Sequence, residues 1–166
     1  MKIFVTIIER ISEWSGKLIS YLLIPILGIA FYEVVMRYIF HRPTVLATET
    51  IIFGCSFIYV IGAAWTMLSN RHVKIDLVYE KIPHRGKRLL DFITFFFFAL
   101  YVGFLFWVGT KYAWESFQLS ETTGSYWSPP LYPVKIAFVV GVFLLLLQGI
   151  AKAIRDIYFV ISGKEL

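Results

Sequence analysis

The sequence holds a single cysteine, Cys55, among 166 residues. One thiol makes no internal disulfide and no cysteine-based metal site. Its place in an apolar run reads as a small buried side chain. Charge is scarce as well, at 16% of residues, where an average soluble domain carries about 25%. The three histidines, His41, His72 and His84, fall outside the long apolar runs. A membrane cytochrome needs histidines within its spans to ligate haem, so that class is excluded. A quinone-linked disulfide oxidase needs paired cysteines and is excluded too. No phosphate-binding loop, nucleophile elbow or metal motif is present. No cofactor and no enzymatic activity are expected.

What the chain has in abundance is apolar sequence, 58% of residues, with a mean hydropathy of +0.72. The charges are gathered into a few stretches with long uncharged runs between them, the pattern of a bilayer protein. The net charge of +5 sits beside apolar spans, not on a soluble platform. It therefore points to topology and anionic lipid, not to nucleic acid. Met1–Trp14 has acidic residues among its apolar ones and no small-residue cleavage site, so a retained N-terminus is expected.

A helix needs about 20 mainly apolar residues to cross the hydrocarbon core. Between Lys17 and Arg37 the only charge is Glu33, and no charge occurs between Glu49 and Arg71 or between Asp91 and Lys111. The run after Lys135 is slightly short, but Lys152 can snorkel to the interface. Spans are predicted near 17–40, 47–69, 89–112 and 134–157. Backbone groups in lipid must bond internally, so all four are helices, and the fold class is an all-α integral membrane protein of one domain, 1–166. Pro25 is expected to kink the first span, with Gly28 easing the bend.

Twelve lysines and arginines flank one side of these spans and four flank the other. Cytoplasmic loops carry the excess. Both termini and the 70–88 loop are therefore placed in the cytoplasm, and the 41–46 and 113–133 loops outside. Within 1–16, Ile3, Phe4, Ile7, Ile8, Ile11 and Trp14 recur at three-to-four spacing. That is an amphipathic helix suited to the cytoplasmic interface; a plain extension of the first span is the alternative. The 70–88 loop is amphipathic as well and fits either anionic lipid, a partner subunit or a solvated connector. In the outer loop, Tyr126, Trp127 and Tyr132 fit an interfacial aromatic belt. Pro129, Pro130 and Pro133 stiffen the approach to the fourth span, giving a rigid outer surface that could serve in docking.

An ionisable residue inside a span is a functional hypothesis by default. Glu33 and Arg37 are four residues apart and share a helix face. Glu49 lies at a similar depth on the next helix, so a bridge from Arg37 to Glu49 is expected. Either Glu33 carries protons or cations, or Glu33, Arg37 and Glu49 pair and fix an assembly. The second is favoured, because a neighbouring arginine holds carboxylates ionised.

Three stretches, F-Y-E-V-V-M-R-Y-I-F-H-R-P-T-V-L-A-T-E at 31–49, G-A-A-W-T-M-L-S-N-R-H-V-K-I-D-L-V-Y-E-K-I-P at 62–83 and W-S-P-P-L-Y-P-V-K at 127–135, resemble the small membrane subunit of tripartite ATP-independent periplasmic (TRAP) transporters. The resemblance implies a bacterial inner-membrane protein that braces a large multi-span permease subunit. A soluble periplasmic protein would deliver the substrate, an organic acid, and a sodium gradient would drive uptake. It also assigns assembly roles to Glu33, Arg37, Arg42, Glu49, His72 and Asp76. Two other readings stand beside it: a self-contained proton-coupled transporter dimer using Glu33, and a membrane anchor of another complex. Sixteen phenylalanines exceed what one small bundle can enclose. Gly54, Gly62, Ala63, Gly103, Gly109 and Gly141 would permit close helix approach. Spans that are apolar all round favour a flat raft against a partner over a compact bundle.

Overall fold

A computed structural model describes residues 2–69 and 84–162. Those residues form five helices: α1 (Lys2–Ser20), α2 (Leu23–Tyr38), α3 (Val45–Leu68), α4 (His84–Gln118) and α5 (Tyr132–Ser162). No strand occurs among them, only an isolated bridge between Thr122 and Pro130. Four stretches are long and apolar enough to cross a membrane: Val5–Tyr38, Val45–Leu68, Ile93–Gln118 and Tyr132–Arg155.

The break between α1 and α2 falls at Tyr21–Leu22, upstream of Pro25. Proline has no N–H to give the carbonyl four residues back and its ring crowds that carbonyl. That carbonyl belongs to Tyr21, and it takes a tighter bond from Ile24 N at 3.3 Å instead. Pro25 thereby sits in the first turn of α2, where a missing N–H costs nothing. Gly28 meets no neighbour within 4 Å, so the bend does not depend on it. Pro133 repeats the arrangement in the first turn of α5.

α2 ends in a tight turn. Ile39 N and Phe40 N both reach Val35 O, and Arg42 N reaches Met36 O at 2.9 Å. His41 takes φ +53° there, the left-handed position that reverses the chain. Pro43 and Thr44 then start α3 antiparallel to α2.

The helices are arranged in the order α2, α3, α5, α4, each packed along the next. α1 lies against both α3 and α5. α5 is the hub, and its Val142, Gln148 and Ala151 are buried. Glycines line the seams. A Cβ at Gly54 would strike Ile26 across α2 and α3, one at Gly141 would strike Val60 across α3 and α5, and one at Gly149 would strike Phe98 across α4 and α5. Gly109 faces Phe138, and Gly16 seats Trp65. Gly62 and Gly103, by contrast, meet nothing within 4 Å and face outward. Apolar surface gains little from leaving lipid, so such close approach is what holds membrane helices together.

The outward faces are aromatic. Phe96, Phe97, Phe104 and Trp107 of α4 and Phe31, Tyr32 and Tyr38 of α2 are all exposed. A row in this order leaves the end helices α2 and α4 each with a free edge, which a closed four-helix bundle does not.

α1 has three faces. Val5, Ile8 and Ser12 are buried against the other helices. Arg10, Glu13 and Lys17 form a charged strip. Ile3, Ile7, Ile11, Trp14 and Leu18 form an exposed apolar stripe. Ile8 thus leaves the apolar set read from the sequence and turns inward with Val5, while Ile3, Ile7, Ile11 and Trp14 of that set face out.

Candidate functional site

The intramembrane charges sit where α2 and α3 meet near their shared turn. Glu33 is 6% exposed. Arg37 Nη2 donates to Glu33 Oε1 at 2.7 Å and Arg37 Nε to the same oxygen at 3.2 Å. Thr44 N donates to Glu33 Oε2 at 3.1 Å and to Oε1 at 3.3 Å. The Thr44 hydroxyl also donates to Oε2. Thr44 is the N-cap of α3, yet its own side chain caps nothing. Glu33, a residue of α2, accepts the backbone N–H of the N-cap residue itself, the bond that an N3 glutamate makes in a capping box, and its negative charge lies at the positive end of α3. Both carboxylate oxygens are therefore occupied, and one residue ties the end of α2 to the start of α3.

Glu49 goes elsewhere. Its Oε1 accepts from the Thr123 hydroxyl at 3.1 Å, in the loop between α4 and α5. Its Oε2 is buried without a donor. The expected bridge from Arg37 to Glu49 is not among the ion pairs of the described residues, because Arg37 is drawn back along its own helix to Glu33. The two side chains line one groove, with Pro43, Thr44, Val45, Thr48 and Ile52. Arg42 lies on the exposed turn beside it.

The loop over this end is held from several sides. Thr123 N bonds Pro129 O at 3.1 Å, and Leu131 N bonds Glu121 O at 2.8 Å. Lys135 and Glu121 form an ion pair across its base. The Lys135 ammonium holds the Glu121 carboxyl below its ordinary value of 4.5. Pro129 is buried and Tyr132 stacks edge-on against Phe117 at 5.6 Å. Of Trp127, Pro129 and Tyr132 on the expected docking surface, only Trp127 presents a broad open face, and the neighbouring Tyr126 is fully exposed.

At the opposite end, polar bonds pin α1. Ser12 Oγ donates to Gln148 Oε1 at 3.0 Å with both residues buried, and Arg155 pairs with Glu9. His72, Asp76 and the amphipathic stretch of the 70–88 loop lie outside the described residues, apart from the 84–88 backbone at the start of α4.

Several of these partners escaped the sequence reading. Thr44 after Pro43 is a legible N-cap signal. Gln148 is the one polar side chain in its run of leucines and glycines, and Glu121 and Lys135 are the charges that bracket an otherwise neutral loop. Glu9–Arg155 and Glu49–Thr123 join residues far apart in the chain, and no local pattern marks them.

Four helices long and apolar enough to span, packed in the order α2, α3, α5, α4 with the buried Glu33 joining α2 to the start of α3, define a multi-pass membrane protein. No described His, Cys, Asp or Glu cluster could hold a metal ion. A comparison with curated proteins gives no match. The family model "Tripartite ATP-independent periplasmic transporters, DctQ component" matches residues 26–158, and the chain belongs to that family. It is the small component of a TRAP transporter, a multi-pass protein of the inner membrane.

Proposed function

We propose that this chain is the fixed membrane brace of a sodium-driven TRAP transporter for an organic acid. It supports a large multi-span permease subunit, and a periplasmic binding protein delivers the substrate to the pair. The saturated state of Glu33 carries this reading. Five hydrogen bonds from Arg37 and Thr44 converge on its two oxygens. A coupling carboxylate must gain and lose a proton or cation during each cycle, and a group tied this fully supports structure instead. The self-contained proton-coupled dimer is correspondingly disfavoured. The open aromatic flanks support a partner larger than this chain.

The surplus of lysine and arginine supports cytoplasmic termini and a cytoplasmic 70–88 loop. In that orientation the Glu33 site and the loop carrying Trp127 are periplasmic. α1 then crosses the cytoplasmic ends of α3 and α5, its charged strip toward water and its apolar stripe toward lipid.

Purification from the native membrane in mild detergent tests the reading. One large multi-span protein should be retained in about a one-to-one ratio, and this chain alone in vesicles should take up nothing. Recovery of the chain only with copies of itself, together with proton-coupled uptake lost in Glu33→Gln, would replace the brace with the dimer. A stable partner that is not a permease would favour the membrane anchor.

A further inference from the structure

The groove at the α2–α3 turn is not finished within this chain. It is an open depression of about 390 Å³ bordered by Arg37, Pro43, Thr44, Val45, Thr48, Glu49 and Ile52. Two charged groups face it. Arg37 is neutralised by Glu33. Glu49 meets no cation among the described residues; Thr123 serves one oxygen, and the other lies just beneath the groove surface with no donor, so a small turn of the side chain is needed to present it. Arg42, on the turn above, forms no ion pair among the described residues. A carboxylate oxygen withdrawn from water without a donor is unfavourable, and a membrane setting makes it more so. The chemistry that completes this site is an N–H donor bearing positive charge.

A second observation indicates where that donor comes from. Ile24, Leu27, Phe31, Val34 and Tyr38 of α2 are all exposed, Phe31 at 72%. They recur at alternating three- and four-residue spacing, the pattern of a seam that receives another helix. The seam runs along α2 toward the end where the groove opens, and exposed Val45 and Ile52 border the groove. A membrane helix laid on this seam brings a long side chain to the groove.

We propose that the groove is a socket for a lysine or arginine of the large permease subunit, received by the Glu49 carboxylate while a helix of that subunit lies along the α2 seam. This rests on the brace reading and names the contact by which the brace is held. Arg37 takes no part in the contact; its place is to keep Glu33 and the turn rigid so that Glu49 is presented at a fixed position.

The test uses the complex retained in mild detergent. In a Cys55→Ser background, Thr48→Cys places a thiol on the exposed rim of the groove. It should react with a maleimide severalfold more slowly in the complex than in the chain reconstituted alone in phospholipid nanodiscs. Glu49→Lys should lose the large subunit on purification, while Glu49→Gln, which still accepts a bond, should keep a reduced share. The Glu49→Lys chain alone should elute as wild type does, and the thiol readout does not depend on that variant. Equal labelling in both states overturns the proposal. So does protection already present in nanodiscs without the partner, since lipid then fills the groove. Retention of the partner by Glu49→Lys at the wild-type level overturns it as well. If the wild-type chain retains no large subunit at all, the brace reading itself fails and takes the socket with it.

Discussion

Glu33 and Glu121 are both carboxylates paired with a basic residue, and their surroundings give them different consequences. Glu33→Gln keeps the shape but weakens every bond from Arg37 and Thr44, because a neutral acceptor replaces a charged one. The expected result is a lower midpoint of thermal unfolding in detergent, with the sodium dependence of uptake by the assembled transporter unchanged. Wild-type stability with uptake abolished would instead make Glu33 a coupling residue. Glu121 has its folded value held below the ordinary carboxylate value of 4.5 by Lys135. Its contribution to the loop is therefore present above that value and lost as pH falls through the lower, folded one. A spin label at Leu131→Cys in the Cys55→Ser chain should be immobilised at neutral pH and gain mobility only below 4.5. In Glu121→Gln the label should be mobile throughout.

The glycine seams make the sharpest predictions for the helices. At Gly141 a side chain would meet the Val60 side chain and its backbone carbonyl, and backbone cannot step aside. Gly141→Leu should cost at least the ~1–3 kcal/mol typical of overpacking and separate α3 from α5. Gly103→Leu, at a glycine with no neighbour, should leave the melting midpoint of the isolated chain unchanged. Measuring the two side by side separates seam from flank. α1 is held differently, through Ser12–Gln148 and Glu9–Arg155. Gln148→Leu should cost about 1 kcal/mol, the usual worth of a hydrogen bond between membrane helices. Its signature should be faster proteolysis between α1 and α2, with α3–α5 intact.

For the molecule as a whole, the order α2, α3, α5, α4 matters more than any one contact. It leaves both flanks of the array free, and α1 ties its two central helices at one end. Cysteine pairs across α2–α3, such as Ile26→Cys with Gly54→Cys, should cross-link readily with Cys55 replaced by Ser. Pairs across α2–α4 should not, with or without the partner. An α2–α4 cross-link in the isolated chain would mean that the array closes into a bundle when the partner is absent.

The amino-acid sequence by itself determined that the chain is helical and membrane-spanning, because lipid leaves the backbone no other way to bond and long uncharged runs are visible residue by residue. It also placed Glu33 and Arg37 on one helix face, since four-residue spacing on a helix is local geometry. Its motifs pointed to the family. Tertiary structure alone decided that Arg37 turns to Glu33 and not across to Glu49, that Thr44 and Thr123 are the partners of the two glutamates, and that Gly16 and Gly149 sit in seams while Gly62 and Gly103 do not. Each of these depends on which face of one helix meets which face of another. In a chain whose spans are apolar on every side, no periodicity marks that choice, and only the packed helices reveal it.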